Sequence, residues 1–272
     1  MAEKSTKKSS TVEPNTVESR QSKQPQYPSE LIDLPSGGKL YPEGSPLSGG
    51  QIEIKYMTAR EEDILTSQNL IRKGVVIDTV LDSLILTKGI SVYDLFLGDK
   101  NAIMVAARIL AYGPEYVTEI VDPDTEAKTE HTFDLSDLEY THLPDDVEYT
   151  ANNVFPLTLP VSKADIKFRL LNGRDEQAIE KQLSSLNKIS GHATREITTR
   201  LKYTILEVNG DKDRQVIDTF VESMLSRDSL FLRNKISSIM PDIKLEQEIE
   251  TQEGNVVKVD IPMTTDFFWP QR

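Results

Sequence analysis

The sequence predicts an α+β fold: two small mixed modules, each with β-hairpins packed against a helical cluster, behind a disordered N-terminal tail. Three observations carry this. Strand-like and helix-like patterns come in separate runs rather than in strict alternation, which argues against a doubly wound sheet. Polar turn segments join neighbouring strands into hairpins. The layout also comes twice: a strand, three helices and two strands are followed by two strands, four helices and two strands. No repeat of sequence at a fixed period accompanies it. The tail is set at 1–30, the first module at 31–145 and the second at 146–272.

Residues 1–30 hold Ser, Thr, Lys, Glu, Gln and Pro with almost no large apolar group. Such a segment buries too little surface to offset its ordering entropy. Order is expected from Leu31, through a stretch rich in Gly, Pro and Ser. Pro35-Ser36-Gly37-Gly38 is a turn signal. Residues 51–56 alternate apolar and polar, as a half-buried strand does. Thr58 followed by Glu61 matches a capping box, so one helix is expected from there towards Ile71. A second covers 75–86, with Val76, Val80, Leu81, Leu84 and Ile85 on one face. A third begins with Asp99 as N-cap and ends at Gly113. Residues 116–121 and 128–135 form a hairpin around the polar turn Asp122–Glu126.

The acidic, turn-rich stretch 136–153 separates the modules. Strands at 155–161 and 165–171 follow. Ile179, Leu183, Leu186 and Ile189 mark a helical stripe. A further helix spans 194–208, closed by Asn209-Gly210, which adopt left-handed conformations cheaply. Helices at 213–225 and 228–240 come next, the latter stopped by Pro241. A last hairpin pairs 243–250 with 256–261, and an aromatic segment ends the sequence.

Composition excludes several function classes. The formal net charge is −13, so the surface repels phosphate backbones and anionic membranes. There is no cysteine, which removes thiol nucleophiles, disulfides and Cys-ligated zinc. His131, His142 and His192 stand far apart, so a metal site of histidines has to be assembled by the fold. The polar start is unlike a signal peptide. No apolar run approaches the ~20 residues of a membrane span. LPSGGKLYP lacks the GxxxxGK[ST] spacing of a phosphate loop, and there is no GxSxG or HExxH. Glu61-Glu62-Asp63 fits the first turn of a helix, where the macrodipole favours acids. Asp122, Asp124 and Glu126 lack the glycine and distal Glu of a calcium loop. A triad or carboxylate pair assembled in space stays open. No cofactor is implied.

Phe267, Phe268, Trp269 and Pro270 have two uses: burial against the chain's own core, or anchoring a partner. They are taken as partner contacts together with Leu34, Pro35, Lys39, Tyr41 and Pro42.

Four segments in order, LPSGGKLYPEG, IEIKYMTAREEDIL, LGDKNAIMVAARILAYGPEY and IPMTTDFFWP, resemble the T4-type phage baseplate hub assembly proteins over about residues 31–270. The resemblance implies a non-enzymatic structural or assembly protein of a contractile tail's baseplate hub. Its partners are then other hub and tail proteins, not nucleic acid or membrane, with a homo-oligomer left open. It is expected in the host cytoplasm during assembly and in the virion tail if retained. The alternatives are a transient assembly chaperone and a carboxylate-dependent tail hydrolase. Some relatives carry Cys pairs where this chain has the turns Asp122–Glu126 and Thr251–Asn255. Here those hairpins have turn chemistry and cross-strand packing alone.

Overall fold

The computed structural model describes residues 27–121, 128–149, 153–190, 195–250, 256–263 and 265–268. Strand β1 (Ser29–Asp33) pairs antiparallel with β2 (Gln51–Lys55). Sequence placed a strand only at the second; the first begins two residues inside the expected tail. Ile52 and Ile54 of β2 face the core, as their alternation requires. The expected helix 58–71 is two helices, α1 (Ala59–Leu65) and α2 (Gln68–Arg72). The break falls at Thr66-Ser67, where the Thr66 hydroxyl donates to the Glu62 carbonyl at 3.2 Å and competes with the helical ladder. The capping pair is present: the Glu61 carboxylate accepts the Thr58 N–H at 2.9 Å.

Helix α3 (Val76–Leu84) buries Val76, Val80, Leu81 and Leu84, the stripe read from sequence. Helix α4 (Leu97–Tyr112) starts two residues before Asp99 and stops at Gly113, whose φ is +85°. Asp99 is therefore not the N-cap; it is inside the first turn and fully buried. Strands β3 (Glu115–Val121) and β4 (Lys128–Asp134) form the expected hairpin, while its turn at 122–127 lies outside the described residues. A short strand, β5 (Tyr140–Thr141), follows.

In the second half, β6 (Phe155–Thr158) and β7 (Asp165–Phe168) are paired as expected. Helix α5 (Gly173–Ser190) buries Ile179. The helix expected over 194–208 is shorter, and this is a correction. Helix α6 (Glu196–Thr204) gives way to strand β8 (Ile205–Val208), which completes a β6-β7-β8 sheet. The Arg169 N–H takes the Thr204 carbonyl at 2.9 Å, and the apolar ILEV run fills the open edge of β7. Helix α7 (Arg214–Ser223) is capped by Asp213, whose carboxylate accepts the Gln215 N–H at 2.7 Å. Helix α8 (Ser226–Ile239) starts before Asp228, which is buried and accepts the N–H groups of Val161 and Ser162 at 2.8 and 2.9 Å.

Past Pro241, strand β9 (Asp242–Ile243) returns to pair with β5 of the first half. The approach is close. A Cβ on Gly98 of α4 would lie 2.0 Å from the Pro241 carbonyl oxygen, so only glycine fits. The Asn101 amide adds a 3.0 Å bond to Asp242. Strands β10 (Glu246–Glu250) and β11 (Val256–Asp260) form the last hairpin, its turn at 251–255 outside the described residues. One cluster of buried apolar residues runs through both halves. No helix among the described residues is long and apolar enough to cross a membrane.

Candidate docking site

The segment from Leu34 to Pro42 is built by one buried carboxylate. Gly37 and Gly38 adopt positive φ, and a Cβ on Gly38 would meet the Ser48 carbonyl oxygen at 2.5 Å. That turn aims the Ser36 N–H at Asp99 Oδ1 (2.9 Å) and brings the Tyr41 hydroxyl to Asp99 Oδ2 (2.6 Å). Burial pushes the Asp99 carboxyl above the usual carboxylate range, against the opposing effect of the Tyr41 and Ser36 donors. Burial and the facing carboxylate push the Tyr41 hydroxyl up as well. The Tyr41 ring leans on Phe96, centroids 5.1 Å apart. Pro35 offers its carbonyl to His142 Nδ1 at 2.8 Å.

The predicted contact residues thus divide. Leu34, Pro35 and Tyr41 are buried in the clasp on α4, whereas Lys39 and Pro42 are exposed. Lys39 reaches the fully solvated Asp145 only at 3.9 Å, a pair of little energetic weight. Phe267 and Phe268 are 0% exposed. Phe267 meets Tyr116 of β3 edge-on at 5.0 Å, and the Tyr116 hydroxyl donates to the Pro262 carbonyl at 3.4 Å. These two rings serve the chain's own core. Trp269 and Pro270 lie outside the described residues.

A cleft of about 670 Å³ opens where the two halves meet, and sequence gave no sign of it. Tyr93 and Leu97 line it from the first half; Leu171, Ile197, Ile236 and Met240 line it from the second. Leu97 and Ile197 are 53% and 50% exposed, although both are large and apolar. The charged rim is largely neutralised in place. Lys100 pairs with Asp78, and Arg200 with Glu176 (2.7 Å) and Glu196 (3.1 Å). An apolar floor inside a paired-charge rim suits apolar side chains of a partner more than a charged substrate.

The other buried carboxylates are also committed to structure. Glu61 takes the Lys55 ammonium at 2.8 Å and both Thr58 donors. Burial raises its pKa, but these donors outweigh that and hold it at about 2. Asp228 is held below the usual range because the Val161 and Ser162 N–H groups outweigh its burial. Among the described residues, no group of three or more His, Asp or Glu is placed to hold a metal ion.

The model of the family described as T4 bacteriophage base plate protein matches residues 26–269. No curated protein and no solved structure matches the chain.

Proposed function

Because the chain belongs to the T4 bacteriophage base plate protein family, we propose that it is a non-enzymatic structural or assembly protein of the baseplate hub region of a contractile phage tail. It works by binding other hub and tail proteins. It joins them in the host cytoplasm and stays in the virion tail. Family membership supports the setting. The observation that carries binding is the cleft between the halves, where Leu97 and Ile197 stay half-exposed. Folding leaves such residues unburied at a cost that a partner recovers. Lys39 and Pro42, on the clasp beside α4, and Trp269-Pro270 are further proposed contacts; Leu34, Pro35 and Tyr41 hold the clasp in shape beneath them.

The test is to quantify this polypeptide in purified tails and in assembly precursors by mass spectrometry. A retained subunit is present in both at a fixed ratio to other baseplate proteins. Presence in precursors alone makes it a transient chaperone. Absence from both removes the proposal.

A further inference from the structure

The β1–β2 sheet has an unfinished side. Residue pairing runs Ser29↔Lys55 to Asp33↔Gln51. The Leu34 N–H donates to Gly50, and the Tyr56 N–H donates to Pro28, which fixes the alternation. Even-numbered residues of β1 exchange hydrogen bonds with β2. Ser29, Leu31 and Asp33 therefore turn their N–H and C=O groups outward. No partner for these groups exists among the described residues. The other edge of β2 is occupied: the Leu86 N–H donates to the Glu53 carbonyl at 2.9 Å, and the Glu53 N–H reaches the Thr87 hydroxyl.

The same register puts Leu31, Glu53 and Leu86 in one row across the outer face. Leu31 is 63% exposed and Leu86 is exposed. Asp33 and Glu53 share that face and Glu30 lies on the other face of β1, none with a basic group within 4 Å among the described residues. Lys55, the one cation of the strand pair, is taken by Glu61 and lies over the Tyr27 ring. Two other edge strands carry blocks to pairing: Pro156 sits in β6, and Lys258 in β11. β1 has neither proline nor lysine.

The geometry points to β1 as the acceptor of a partner protein's extended segment, added antiparallel as a third strand, with an apolar residue opposite Leu31 and Lys or Arg opposite Glu30 and Asp33. A second copy of this chain fits poorly. Pairing two β1 strands about Leu31 would set Glu30 opposite Ile32 and Asp33 opposite Ser29 of the other copy, leaving the acids with no cation across the seam. The inference rests on the proposed binding function and adds the partner's chemistry. The two fail separately, because presence in tails does not depend on how a peptide binds.

The probe is a labelled peptide, Thr-Thr-Lys-Thr-Val-Lys-Thr-Thr, titrated onto the full chain by fluorescence anisotropy. Three controls accompany it: the same peptide with both lysines replaced by glutamate, the same peptide N-methylated at valine, and the Leu31→Pro chain. Leu31→Pro removes an outward N–H and no ladder bond. The expected result is saturable binding that weakens with salt and is at least tenfold weaker in each control. Hydrogen exchange at the Leu31 and Asp33 amides should slow in the complex. Because N-methylation alters only the peptide, that control holds even where Leu31→Pro does not fold. Absence of binding, or equal binding of the N-methylated or glutamate peptide, overturns the inference. So does a dimer of the free chain that Leu31→Pro dissociates.

Discussion

Replacing Asp99 with alanine removes the acceptor on which the clasp from Leu34 to Pro42 is built. Two buried donors, the Ser36 N–H and the Tyr41 hydroxyl, lose their partner at once. Each unsatisfied buried donor costs about 1–3 kcal/mol. Part of that is returned, since burial already disfavours the Asp99 charge and alanine has none to bury. The net loss expected is about 3 kcal/mol, or roughly 6–12 °C in melting temperature for a chain of this size. Asp99→Asn keeps an oxygen for Ser36 and offers an amide to Tyr41, so about 1 kcal/mol is expected. Urea unfolding followed by circular dichroism measures both. A loss below about 1 kcal/mol in Asp99→Ala, or equal losses in the two variants, would refute the role given to Asp99.

Gly98→Ala forces a Cβ into the Pro241 carbonyl; a cost of about 3 kcal/mol is expected, with faster hydrogen exchange at Lys244, whose N–H donates to the Glu139 carbonyl where β9 meets β5. Phe268→Ala should cost about 3–5 kcal/mol and lower the melting temperature, because the ring is wholly buried. A variant that keeps full stability but no longer enters tails would instead mark the ring as a partner contact. Glu61 has its pKa lowered to about 2 in the fold, so its stabilisation is present above its ordinary value of 4.5 and is lost as pH falls towards 2. Asp99 has the opposite sign: its carboxyl is raised, so protonation at low pH favours the fold. Glu61→Gln should therefore flatten the acid loss of stability, by at most about 3 kcal/mol between pH 5 and 2 in thermal scans.

Legibility in the sequence followed the range of the interactions. Strand β2 was plain from QIEIK and the end of α8 from Pro241, because each signal lies within or beside the element. β1 was missed because SELID sits beside a polar tail and becomes a strand only through a partner some 20 residues on. β8 was read as helix because the expected helix ran on to the Asn209-Gly210 signal; the open edge of β7 takes ILEV as a strand instead. Asp99 looked like a cap from its neighbours alone, since the loop it serves lies 63 residues earlier. Of the predicted contacts, Lys39 and Pro42 are on the surface, while Leu34, Pro35, Tyr41, Phe267 and Phe268 are interior. Apolar residues near a turn or a chain end fit either use until the fold shows what surrounds them. The cleft was invisible for the same reason: its walls come from positions between 78 and 240.

The seam between the halves also sets how the protein reaches its native state. Asn101 meets Asp242 across 141 residues of chain, and Tyr116 meets Pro262 across 146. Contacts at that separation carry a large loop-closure entropy and form late, which slows folding relative to a chain of local contacts. Until β9 docks beside Gly98, the first half lacks the partner of β5 and the second lacks its anchor. Fragments divided at 145/146 should each be unstable alone, yet recover a native-like circular dichroism spectrum when mixed.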